Sequence, residues 1–145
     1  MAINISCPHC QVSNRLPEER LGDGPKCGKC KQVIFTGKPL DITAANISAT
    51  LAKNDIPVLV DCWASWCGPC QQFAPVFNQA AQQFEPHLRL AKLDTEAQQA
   101  IAAQWQIRSI PTLILFRQGQ EVARLNGAVP LAQLKQWLLQ QGISL

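Results

Sequence analysis

No stretch of this 145-residue chain is long and apolar enough to cross a bilayer, because the runs at residues 57–61 and 112–116 fall far short of the roughly 20 residues required. The opening residues lack the basic, then apolar, then small-residue order of an export signal, so a cytoplasmic protein with no membrane contact is expected. Charge of one sign is also scarce. Thirteen Lys+Arg oppose ten Asp+Glu, a formal net of +3, of which residues 1–36 carry +2. Four cysteine thiolates around one zinc would lower the total to about +1. With so little excess charge, no nucleic-acid partner is expected. No glycine-rich dinucleotide fingerprint follows a predicted strand, so directly bound NADPH is not expected. No internal repeat is visible. Cysteine is absent from the carboxy-terminal half, which argues against a secreted disulfide scaffold.

What remains is a chain of which 47% is hydrophobic, enough for one compact domain with a small appendage. Seven cysteines crowd its first half: Cys7, Cys10, Cys27, Cys30, Cys62, Cys67 and Cys70. Six of them form three C-x-x-C pairs, a pattern that points to metal and redox chemistry.

Composition shifts near residues 35–39 and divides the chain into a cysteine-rich unit, 1–36, and a larger unit, 37–145. The first shows almost no periodic apolar pattern and is too short to bury a core without help from a metal or disulfides. In the second, strand and helix signals alternate. A helix is predicted over 43–53 with Thr43 as its cap, a buried strand over 58–63, and a helix from Cys67 to about Phe84 kinked at Pro75. A strand follows at 88–93, then a helix over 97–105 capped by Thr95. A hairpin over 112–116 and 121–126 turns at Gln118 and Gly119, and a last helix spans 131–141, opened by Pro130. This order predicts an α/β fold with a central mixed sheet and helices on both faces.

The decisive segment is Trp66-Cys67-Gly68-Pro69-Cys70, where a strand feeds a helix N-terminus. Unsatisfied N–H groups and the helix dipole lower the pKa of a cysteine placed there, which makes Cys67 the better nucleophile. Cys70, one turn deeper, is suited to resolve a mixed disulfide from within.

These five residues resemble the active-site motif of the thioredoxin family, and the resemblance extends over residues 40–141. It implies the thioredoxin fold, with Asp61 as a buried carboxylate that accepts the Cys70 proton and Lys92 as its modulating neighbour. It implies a cis peptide at Ile110-Pro111 opposite the cysteines, leaving Ile110 free to pair with an extended substrate. Trp66, Gly68 and Pro69 would flank the reactive sulfur, with Trp63 supporting it from below. Gly127 and Ala128 either complete an apolar substrate surface or serve loop geometry. Gln71, Ser109 and Cys62 depart from the family pattern. Because adjacent strand residues face opposite ways, Cys62 is expected to lie inert in the layer away from Asp61.

Cys7-x-x-Cys10, sixteen residues, then Cys27-x-x-Cys30 has the spacing of a zinc ribbon, with four thiolates filling a tetrahedral shell. The zinc is therefore expected to be structural, and the His9 ring to point away. A ribbon preceding a thioredoxin is similar to the zinc-containing second type of bacterial thioredoxin, and the resemblance then spans nearly the whole chain.

It implies a cytoplasmic, monomeric protein-disulfide reductant with a redox-active Cys67–Cys70 disulfide, recharged by thioredoxin reductase and acting on disulfide-containing proteins. Two alternatives stay open at this stage: a disulfide-forming oxidant, and a zinc-ribbon binding module on an inert scaffold. The ribbon is open to three roles, as a structural part, a docking module or an oxidant sensor.

Overall fold

A computed structural model describes all 145 residues. Its larger part is a five-stranded mixed sheet in the order β3-β5-β4-β6-β7. The strands are β3 (Leu40–Asp41), β4 (Val58–Trp63), β5 (Arg89–Asp94), β6 (Thr112–Arg117) and β7 (Gln120–Asn126). β4 runs parallel to β5 and antiparallel to β6, so it lies at the centre with both faces covered. That placement explains its unbroken apolar run, Val58, Leu59 and Val60, which solvent would not tolerate on an edge strand.

The period-2 alternation of β4 sorts two cores. Leu59 packs on one face with Phe73, Phe77 and Phe84 of α2 (Gly68–Phe84) and with Leu134 and Leu138 of α4 (Leu131–Gln140). Val58, Val60 and Cys62 face the other layer, where they meet Leu51 of α1 (Ile47–Ala52) and Ile101 of α3 (Gln99–Gln104). The arrangement is the thioredoxin fold expected from the sequence.

Two predicted helices are shorter than their apolar spacing suggested. Asn46, not Thr43, precedes α1. Its side chain accepts the Thr43 N–H at 2.9 Å and donates to the Asp41 carbonyl, which holds residues 43–46 in a turn. Nor does Thr95 cap α3, because its hydroxyl donates instead to the Trp63 carbonyl at 3.0 Å. Asp94 accepts the free N–H groups of Glu96 and Ala97. The β6–β7 turn falls at Gln118 and Gly119 as expected, both at positive φ.

The amino-terminal segment forms an antiparallel hairpin, β1 (Ala2–Ser6) with β2 (Ser13–Pro17), that the sequence pattern did not suggest. A short 3-10 turn follows at Glu18–Arg20. Its small core of Ile5, Cys7, Leu21, Cys27 and Ile34 is completed by Ile56 from the larger unit.

Polar contacts secure the same seam. Asn54 accepts the Ser6 N–H and donates to the Ser6 hydroxyl, and the Asp55 side chain accepts the Asn4 N–H while its own N–H donates to the Asn4 carbonyl. Arg89, 1% exposed, donates to the Ile34 carbonyl and pairs with Glu85 at 3.1 Å under the Phe35 ring. All these anchors lie at the starting ends of β4 and β5. The reactive turn follows the far end of β4, about 20 Å away at roughly 3.3 Å per residue.

Candidate active site and metal centre

Cys67 is the N-cap of α2, and its sulfur accepts the Cys70 backbone N–H at 3.2 Å. Pro69 in the first turn suits that position, since its missing N–H would have no partner in any case. The donated N–H and the start of a 17-residue helix both favour negative charge on Cys67. The two sulfurs are joined in a disulfide, with Cα atoms 5.2 Å apart.

Exposure barely separates them, at 4% for Cys67 and 3% for Cys70. What separates them is direction. Cys67 lines a surface groove of about 530 Å³ together with Trp66, Gly68, Pro69 and Ile110, whereas Cys70 does not reach it.

The Ile110-Pro111 peptide is cis, as the resemblance implied, and the Ile110 carbonyl lies 3.8 Å from the Cys67 sulfur. Trp66 stands 70% exposed above the turn, and the half-buried Trp63 packs against Ala64 and the cysteines. The Gly127 N–H donates to the Pro111 carbonyl at 2.8 Å, so the structure brings Gly127 beside the cis segment. Gly127 and the exposed Ala128 lie outside the walls of the Cys67 groove.

Asp61 is 1% exposed, and neither carboxylate oxygen has a hydrogen-bond partner from the protein. Burial without hydrogen bonds disfavours the charged form and pushes its pKa from 3.8 to about 7, with the Lys92 charge pulling part of the way back. Lys92 is its register neighbour on β5, and its ammonium lies 4.8 Å from the centre of the Trp63 ring. Cys62 sits fully buried in the opposite layer, where burial pushes its thiol up to about 12. That environment suits an inert thiol.

Cys7, Cys10, Cys27 and Cys30 converge so that all four sulfurs lie within 4.8 Å of one another. Two matching turns present them. Each begins with a cysteine whose N–H and carbonyl close the loop, and each places a non-glycine residue, Gln11 or Lys31, at positive φ. The Cys7–Cys30 and Cys10–Cys27 sulfurs are 3.6 Å apart. Tetrahedral zinc with bonds of about 2.3 Å needs edges near 3.8 Å, so the quartet fits the ion.

N–H groups of His9 and Cys10 point at Cys7, and that of Lys29 at Cys27, donors that stabilise thiolate ligands. The His9 ring lies outside the quartet and meets the Val33 carbonyl through Nε2 at 2.9 Å. Sequence reasoning missed Arg89, Glu85 and Asn54, which fasten this unit to the sheet.

The comparisons agree with this geometry. Residues 38–140 match the family model for thioredoxin, and residues 6–32 match that for the amino-terminal zinc ribbon of thioredoxin 2. The chain is 45% identical over 137 residues to thioredoxin C-3 of Corynebacterium nephridii, covering 94% of each. It is 42% identical over 101 residues to a thioredoxin of Haemophilus influenzae, covering 70% of this chain and 94% of the relative. Among solved structures it resembles a single-substitution mutant of thioredoxin from Halobacterium salinarum, with a TM-score of 0.66 and 34% identity. That match covers 75% of this chain and 94% of the other.

Proposed function

The chain belongs to the thioredoxin family and is a thiol–disulfide oxidoreductase, and from that premise we propose that it works as a protein-disulfide reductant. The observation that carries this reading is the Cys67 sulfur at the α2 N-cap, facing the groove while Cys70 is turned inward.

Cys67 thiolate attacks one sulfur of a substrate disulfide, forming a Cys67–substrate bond and expelling the other sulfur as a thiolate. Cys70, deprotonated by Asp61, then attacks the Cys67 sulfur and releases the second substrate thiolate. The substrate gains two electrons and, after protonation, two thiols, while the protein is left with the Cys67–Cys70 disulfide. The Ile110 backbone beside the sulfur pairs with the extended substrate, and Lys92 tunes Asp61.

Thioredoxin reductase restores the dithiol using electrons from NADPH that this chain does not itself bind. The cytoplasm is the compartment that suits the reaction. Cys7, Cys10, Cys27 and Cys30 hold a structural zinc whose positive charge stabilises their four thiolates. Residues 1–36 form the unit around it, and residues 37–145 carry the reaction.

Titrating the zinc-loaded protein through defined redox buffers, with trapping of the Cys67–Cys70 pair, tests the direction of flow. Other members of this fold set the scale, at about −270 mV for thioredoxin and about −120 mV for a strong oxidant. A midpoint near the first is expected. One near the second would make the chain a disulfide-forming oxidant.

A further inference from the structure

The groove that opens on Cys67 is lined by Trp66 and Pro69 of the reactive turn and also by Thr95, Ala102 and Ile107. Its walls are apolar or neutral except for one residue, Arg108. That side chain is exposed and joins none of the ion pairs, unlike Arg89 with Glu85 and Arg124 with Glu121. No carboxylate lines the groove. Asp94, near its α3 end, is occupied with the N–H groups of Glu96 and Ala97, and the exposed Glu96 lies outside the walls. Across the reactive turn, Gln71 is neutral and donates to the Ser65 carbonyl. Arg108 is therefore the one charged residue in the wall of the groove, two residues from the Ile110 carbonyl that lies beside the attacking sulfur.

From this we infer that Arg108 selects substrates: the chain prefers disulfides in extended segments that carry an acidic residue close to the attacked cysteine and an apolar one to fill the space by Ala102 and Ile107. The inference rests on Cys67 being the sulfur that meets substrate. An acidic side chain gains an ion pair with a cation that has no other partner, and a basic one meets an unscreened like charge. The pair is exposed, so the effect is a preference of about two- to fivefold and weakens with salt.

The test uses three disulfide-linked peptides that differ only in having Asp, Ser or Lys two residues from the cysteine. The reduced, zinc-loaded protein is assayed with each for its second-order rate at low and high ionic strength, alongside Arg108→Ala, Arg108→Lys and Arg108→Glu. The quantity read is the Asp-to-Lys rate ratio within each protein, which does not depend on a variant's overall activity. The expected ratio is about two- to fivefold for the unaltered chain. It should approach one in Arg108→Ala and in high salt, return in Arg108→Lys and invert in Arg108→Glu. A ratio unchanged in Arg108→Ala would overturn the role of Arg108. Failure to reduce even the Ser peptide would overturn the underlying reading of Cys67 as the attacking sulfur.

Discussion

At the scale of single residues, the site depends on one carboxylate kept out of water without a hydrogen bond. Asp61 ordinarily titrates near 3.8 and here is pushed to about 7, so the folded state holds its proton more tightly than the unfolded chain does. Its contribution to stability is therefore whole below about pH 4 and is lost as pH rises toward 7. The loss accrues between those limits at roughly 1.4 kcal/mol per pH unit, reaches about 4 kcal/mol, and levels off above pH 7. Asp61→Asn keeps the shape and removes the charge. Urea unfolding of the oxidised protein should show a gain near zero at pH 4 that grows to about 3–4 kcal/mol at pH 8. Turnover should fall in the same variant because Asn cannot accept the Cys70 proton. A gain that is flat with pH would mean that Asp61 keeps an ordinary carboxylate pKa and is too weak a base to hold the Cys70 proton.

At the scale of elements, β4 and α2 were legible because their signals are short-range. An apolar run between breakers marks a buried strand, and Cys67 with Pro69 and four aligned aromatic and aliphatic residues marks the helix. The metal quartet was legible for the same reason, since each half is a turn of a few residues. The hairpin β1–β2 was not, because its inward positions are completed by Ile56, forty residues later. Arg89 was invisible as a core residue. Charge usually indicates a surface, and only the fold brings Glu85, Ile34 and Phe35 around its guanidinium.

The junction of α2 with β5 consequently holds an ion pair whose side chains are only 3% and 2% exposed. Removing one partner strands the other, at a cost of about 3–5 kcal/mol, whereas replacing both with apolar residues costs far less. Glu85→Ala should lower the unfolding free energy by that amount, and the double replacement Glu85→Leu with Arg89→Met should recover most of it. Equal losses in the two proteins would show that a stranded Arg89 charge is not the source of the cost.

For the whole molecule, the two functional centres lie at opposite ends of the parallel strands. The zinc quartet's unit docks on residues 54–57 and 85–89, while Cys67 follows the far end of β4, about 20 Å on. Metal and reactive pair are therefore expected to be linked through stability and not through contact. Stripping the metal with a chelator under reducing conditions leaves four thiols, Cys7 and Cys27 buried and Cys10 and Cys30 half-buried, with no cation to hold them together. The Ile34 carbonyl then loosens its hold on Arg89, which has no other protein partner than Glu85 for its donors.

Calorimetry should show a lower unfolding temperature for the chelated protein. The rate of disulfide reduction on a neutral substrate, measured well below that temperature, should stay within about twofold of the loaded protein, since nothing within a few ångströms of Cys67 has changed. A tenfold fall in rate, with the pair still reduced and the sheet still folded, would mean that the amino-terminal unit acts on the distant site through the strands. The seam at Arg89, where β5 starts toward Lys92, would then be the first place to look for the connection.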